Sequence, residues 1–378
     1  MMDFGLSEAQ EALQSSARDL LTAECPPDLV RETAQNEDGV PRRLYRRLGD
    51  LGWFSLLVPE RDGGLGLGML DLALVLEEMG RVAAPGPFLS TQLVIAAVLK
   101  GASARQRRRW LPRLTNGDGF AAVAALEDDG RLDAAGIQTR ARRSRGGYHL
   151  SGTKTFVLEG PAADLLLVAA RTKSGRNGTG VTLFMVERGT PGVHVQPNQS
   201  LDLTRRLATV TLRDVAVPAD ARLGKEGAGW PLLERLLDLG AVGIAADGLG
   251  GAARTLDMAV DYAKVREQFG RPIGSFQAIK HLAAEMVADV EPARSLVWYA
   301  AWAQDERPRE RSRLASMAKA SLSEIYSRTA RRSVEIHGGI GFTWDFDLHL
   351  WFKRAHLGEV LFGDPAFHRE RIATLDGY

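Results

Sequence analysis

Cysteine is almost absent. Cys25 stands alone in 378 residues, so no internal disulfide can form and a packed core has to hold the fold, as suits a reducing compartment. An excess of one charge is missing too, with 48 Lys and Arg against 47 Asp and Glu. A chain so balanced has no field to gather nucleic acid or anionic lipid, which leaves small molecules and proteins as partners. Long apolar runs are lacking: stretches such as Leu93–Leu99 and Leu165–Ala170 stop far short of the ~20 residues that cross a bilayer. The opening MMDFGLSEAQEALQ has no basic segment ahead of an apolar one, so no secretory leader is expected and the expected location is the cytoplasm. His337, His349, His356 and His368 share no ligand spacing and have no cysteine beside them, so no metal site is expected.

What the chain does have is a periodicity that changes twice. From Ser7 the pattern is helical: Ser7 and Gln10 have the spacing of a capping box, and Leu13, Ala17, Leu20 and Leu21 share a face. Further helices are predicted at Pro41–Leu51, Met69–Gly80, Pro87–Leu99 and Ser103–Leu114. Short β-prone runs follow: Phe120–Leu126, Ile137–Ala141, Gly147–Leu150, Thr153–Leu158, Leu165–Ala170, Val181–Val186, Val193–Gln196 and Thr209–Arg213. Beyond Gly227 the helical period returns over Trp230–Lys264, Phe276–Gln304 and Pro308–His337. Strands without intervening helices exclude a doubly wound sheet. The expected fold is α+β: an all-α domain (1–117), a central antiparallel β-barrel or sandwich (118–222) and a C-terminal four-helix bundle (223–378).

Two segments point to a phosphate-bearing ligand. Arg266 can present a permanent, bidentate charge to a pyrophosphate, and Gly338, Gly339 and Gly341 let backbone amides approach a ligand closely. The first lies in Arg266-Glu267-Gln268-Phe269-Gly270-Arg271-Pro272-Ile273-Gly274-Ser275-Phe276-Gln277, which resembles the R-x-x-F-G-x-x-I-x-x-F-Q segment of acyl-CoA dehydrogenases. The second, Glu335-Ile336-His337-Gly338-Gly339-Ile340-Gly341-Phe342, resembles that family's Q-x-x-G-G-x-G-[YF] loop. Leu51-Gly52-Trp53 through Val58-Pro59-Glu60 with Gly63-Gly64-Leu65-Gly66 resembles its N-terminal domain, so the likeness covers essentially the whole chain. It implies FAD as cofactor, an acyl-CoA thioester as substrate, an electron-transfer flavoprotein as acceptor, and Arg266, Gln268, Phe269, Glu335, Gly338, Gly339 and Gly341 as cofactor contacts.

Desaturation of an acyl thioester needs a base for the weakly acidic α-proton, and a carboxylate in an apolar pocket serves because desolvation raises its basicity. Matching Lys353–Gly363 to the family's base-bearing segment puts Phe362 where the glutamate belongs, and the family's alternative position falls on Gly240. Asp247, Asp364 and Glu359 are the nearest spare carboxylates, with capping or solvation as their ordinary meaning. The flavin side is eroded as well. Where the family has T-E-P-G-x-G-S-D this chain has Leu126-Glu127-Asp128-Asp129-Gly130-Arg131-Leu132-Asp133, and the family's W-I-T corresponds to Phe156-Val157-Leu158. The losses fall on elements that, by resemblance, embrace the flavin within one subunit, while those reaching a neighbour's FAD are kept, apart from Glu335 replacing a glutamine.

That asymmetry resembles the paired acyl-CoA dehydrogenases of bacterial steroid side-chain degradation, which assemble as α2β2 heterotetramers with half the usual number of active sites. The expected function is therefore a FAD-sharing, base-lacking subunit acting beside a homologous partner on a bulky acyl-CoA. Two alternatives stay open: an active homomeric dehydrogenase using Asp364 or Asp247, and a flavin-free binding homologue.

Overall fold

The computed structural model describes residues 5–378; residues 1–4, at the head of the expected N-terminal domain, lie outside the described residues. Helix α1 (Glu8–Glu24) begins at the expected capping box, Ser7 Oγ accepting from the Gln10 amide and Gln10 Oε1 from the Ser7 amide. After it come α2 (Pro27–Thr33), α3 (Arg42–Asp50), α4 (Met69–Arg81), α5 (Phe88–Gly101) and α6 (Ala104–Leu114). At seven residues α2 is too short to show a period, and proline at its first position is its one sequence mark. Helices α4 and α5 are buried almost all round, because they lie between the outer helices and the C-terminal bundle.

The middle of the chain forms β1 (Ala121–Ala124), β2 (Arg140–Ser144), β3 (Gly147–Leu158), β4 (Leu165–Arg171), β5 (Val181–Glu187), β6 (Val193–Asn198), β7 (Leu207–Pro218) and β8 (Arg222–Leu223). They join in one sheet of order β6-β7-β3-β2-β4-β5-β8, with β1 on β4. The expected antiparallel pattern dominates, but β1 and β2 run parallel to β4. The reason is that residues 125–139 and the β2–β3 hairpin intervene, so β4 re-enters the sheet in the direction of β1. The two runs expected at Gly147–Leu150 and Thr153–Leu158 are one strand, β3, with register shifts at Leu150/Gly152 and Lys154/Val157, as bulges produce. Leu150, Val168, Phe184, Val210 and Leu212 fill a separate core on one face of the sheet.

The last third is α7 (Trp230–Val265), a two-residue hairpin of β9 (Glu267–Gln268) and β10 (Arg271–Pro272), α8 (Gln277–Glu306), α9 (Arg311–His337), α10 (Leu348–Val360) and α11 (Pro365–Leu375). Helix α9 packs on α7, α8, α10 and α11, which makes it the spine of the bundle. The most apolar window of α7 could span a bilayer by length, yet 94% of it is buried inside the protein, so its hydrophobicity is accounted for by the core. Trp298 is half-buried and donates through Nε1 to the buried Glu77, 3.1 Å away.

Candidate active site

A cavity of about 780 Å³ opens between the β-sheet and the bundle. Leu93 of α5, Thr155, Phe156 and Leu158 of β3, Leu237 of α7 and the turn after α10, Leu361 to Asp364, line it. Most of the wall is aliphatic and aromatic, with Arg131, Asp133, Thr155 and Asp364 among its polar members.

Phe362 lies in this wall, and its ring sits directly on Gly240 of α7: a Cβ added at Gly240 would overlap ring atoms of Phe362. The two positions matched by sequence to alternative bases therefore meet in space, and one aromatic ring occupies the volume between them. Among the candidate carboxylates only Asp364 lines the cavity. Its Oδ1 accepts from the Phe367 amide at 2.7 Å as the N-cap of α11, a structural use that explains the residue type. Glu359 accepts from Ser327 Oγ at 2.8 Å.

Asp247 has to be withdrawn as a candidate base. It is 4% exposed and pairs with Arg354 through both oxygens, at 2.5 and 3.0 Å, and with Arg205 at 2.9 Å. Burial opposes its charge, but Arg205 and Arg354 hold its carboxyl below the usual range; a carboxylate so held is a poor proton acceptor. Arg354 also donates to Thr204 Oγ1 and Ala84 O. The cluster, with the fully buried Asp202, ties α7 and α10 to the loop before β7.

Glu159 borders this cluster. Burial pushes its carboxyl up to about 8, against the pull of Arg205. Between the ordinary value of 4.5 and that value the folded chain keeps a proton that the unfolded chain has released, so stability falls as pH rises through this window. Glu159→Gln removes the linkage. Relative to the parent, the variant should gain on the order of 3 kcal/mol between pH 5 and pH 8. Urea midpoints at the two pH values measure this, and a pH-independent difference would show that Glu159 is ionised in the fold.

The loop that corresponds to the family's flavin-binding segment, and in which that pattern is eroded, is spent on structure. Glu127 accepts from the fully buried Lys154 Nζ at 2.6 Å and from the amides of Gln138 and Thr139, while burial lowers Lys154 to about 8. Asp133 pairs with Arg131 and caps the turn at Ala134–Gly136. What remains is different from the family's pattern but usable. The hydroxyl of Thr155 is buried in the cavity wall without a hydrogen-bond partner, and Phe156, 58% exposed at φ +49°, offers an aromatic face beside it. A planar ring with polar edges fits these two groups. Sequence matching looked for the hydroxyl at Leu158 and so missed Thr155, three residues earlier.

The other matched residues lie on a separate face. Among the described residues, none of Arg266, Gln268, Phe269, Glu335, Gly338, Gly339 or Gly341 lines the cavity. They share one surface, because His337 stacks on Tyr262 at 4.4 Å between centroids and Ile336 packs beside Ala263 and Ile273. Phe269 at 92% exposed, Phe342 at 66% and Trp344 at 61% stand out from it. Gly339 has neither a positive φ nor any atom within 4 Å of an added Cβ. Nothing within the chain demands glycine there. Arginines at the surface form ion pairs: Arg109 and Arg113 with Glu187, Arg142 with Asp214 and Arg143 with Glu226.

Comparison with known proteins matches the same three parts. Family models for the N-terminal, middle and C-terminal domains of acyl-CoA dehydrogenase match residues 7–118, 122–215 and 227–375. An acyl-CoA dehydrogenase of Bacillus subtilis (strain 168) is 33% identical over 369 residues, covering 96% of this chain and 97% of its own. The structure of the ChsE4-ChsE5 complex from Mycobacterium tuberculosis superposes with a TM-score of 0.90 at 32% identity, over 100% of both chains. That of PigA with FAD and proline gives 0.91 at 26% identity, over 100% of this chain and 99% of its own.

Proposed function

We propose, from the premise that this chain belongs to the acyl-CoA dehydrogenase family of flavin-dependent oxidoreductases, that it is the base-lacking subunit of a two-subunit enzyme. The observation that carries the reading is the ring of Phe362 on Gly240: both positions from which the family's glutamate would face the cavity are apolar, and each occupies the other's space. The wall groups, Leu93, Leu237, Leu361 and Phe362, hold an acyl group and keep water out, but accept no proton. FAD, when bound, supplies the hydride acceptor of the α,β-desaturation. Thr155 and Phe156 would meet its ring in this chain's cavity, while Arg266, Gln268, Phe269, Glu335 and the 338–341 glycines would reach the FAD of a partner subunit.

An α2β2 assembly with a homologous, base-bearing chain accounts for the exposed Phe269, Phe342 and Trp344, which such a neighbour would cover. The similarity to a chain of the ChsE4-ChsE5 complex supports a heteromer. The cavity lies within the range of about 300–1,000 Å³ that takes drug-sized ligands, which suits a bulky acyl-CoA; a steroid-derived acyl group is proposed from the resemblance of Leu361-Phe362-Gly363-Asp364. An electron-transfer flavoprotein in the cytoplasm would take the electrons onward.

FAD stoichiometry tests the shared site. Purified alone the chain should carry little flavin, and co-purified with a homologous dehydrogenase subunit about one FAD per heterodimer, if the cofactor site needs both surfaces. A full yellow complement in the chain alone would overturn the reading in favour of a homomeric enzyme and direct attention to Asp364. No flavin in either sample would leave a binding homologue.

A further inference from the structure

We infer that Lys319 and His368 form a clamp that positions Phe362, making them the residues that set the shape of the cavity wall. Phe362 has a φ of +58° and Gly363 one of +105°. A phenylalanine in the left-handed region is strained and persists only where its surroundings fix it.

The fixing groups are on α9 and α11. Lys319 is completely buried in α9, among Ala315, Ala318 and Leu322. Its Nζ donates to Gly363 O at 2.8 Å, Glu359 O at 3.0 Å and Ser323 Oγ at 2.9 Å. All three donors of the ammonium group are thus used, two of them on carbonyls that bracket Phe362. His368 of α11 is 1% exposed, and its Nε2 lies 3.0 Å from Phe362 O; with a carbonyl as partner, that nitrogen carries the proton. The carbonyls of residues 359, 362 and 363 are therefore all held by groups that do not line the cavity. On α7, Gly240 offers the only kind of seat the ring can take, since any side chain there would overlap it.

None of these contacts needs a ligand, so the clamp presets the wall before anything binds. Preset walls bind more tightly because no side chain has to be ordered on binding. The role in ligand binding rests on the proposed acyl-thioester function; the positioning of the ring does not.

The experiment places 4-fluorophenylalanine at position 362 of the full chain and follows its fluorine resonance, alongside calorimetric binding of dodecanoyl-CoA. The parent should give one narrow resonance well away from its urea-unfolded position. In K319M, folded by circular dichroism, the resonance should move toward the unfolded position and dodecanoyl-CoA should bind about tenfold more weakly, as a wall that has lost its preorganisation predicts. A folded K319M with an unmoved resonance overturns the clamp. If K319M does not fold, H368Q takes its place with the same two outcomes. Failure of the parent to bind dodecanoyl-CoA, with a resonance that still moves in K319M, would count against the proposed function and leave the clamp standing.

Discussion

Phe362→Glu should place a carboxylate base in the cavity wall. Incubated in heavy water with an acyl-CoA, the unaltered chain should exchange none of the α-protons beyond the rate in buffer. The variant should exchange them faster by about a hundredfold or more, since a positioned general base contributes roughly 10²–10⁴-fold. The step needs no oxidant: the new carboxylate takes the α-proton, the electron pair of the broken C–H bond moves into the thioester enolate, and a deuteron returns from the exchanged carboxyl. The surroundings favour it, because Leu237, Leu357 and Leu361 line the wall there and apolar walls raise a carboxylate's basicity. Gly240 leaves the approach free of a competing side chain. Phe362→Gln is the control, of similar size and without basicity. Equal exchange in the two variants, read by mass spectrometry of the acyl-CoA, would mean that position 362 does not face the substrate's α-carbon.

The second large effect is on stability. Arg354→Met should cost about 3–5 kcal/mol, the usual consequence of removing one partner from a buried ion pair. The guanidinium makes hydrogen bonds to both oxygens of Asp247, to Thr204 Oγ1 and to Ala84 O, and its loss leaves Arg205 as the remaining close cation for Asp247. Asp247→Leu combined with Arg354→Met should cost much less than the sum of the two single changes, because no carboxylate is then stranded. Urea denaturation of the four proteins gives the coupling. Additive costs would show that the pair acts independently, and a loss below about 1 kcal/mol in Arg354→Met would show that water already screens the site.

Much of this was legible in the sequence for a simple reason: helices and strands announce themselves through the spacing of apolar residues along the chain. The capping box at Ser7 and Gln10 formed as read, the helices at Met69–Arg81 and Ala104–Leu114 begin within a residue of expectation, and the shift from helices to strands and back fixed the order of the three parts. Helix α10 was less visible because its thirteen residues mix buried Leu348, Trp351 and Arg354 with an exposed Val360, so polarity and burial do not track each other.

The site divides in the same way. The absence of a glutamate at Phe362 and Gly240 could be read directly, since a residue's chemistry is local. That the two residues touch could not, because they are brought together only when α10 and its following turn fold back on α7. Lys154, Lys319 and Arg354 carry no mark of burial in the sequence, yet each is buried against partners far away in the chain: Glu127, the carbonyls of Glu359 and Gly363, and Asp247. Asp247 is the sharpest case, a candidate base by its type and a locked ion pair by its neighbours. The sequence by itself determined the order of the elements and the residue types at Phe362 and Gly240. The tertiary structure decided which charges are free to do chemistry, because a side chain's ionisation depends on groups that only folding places beside it.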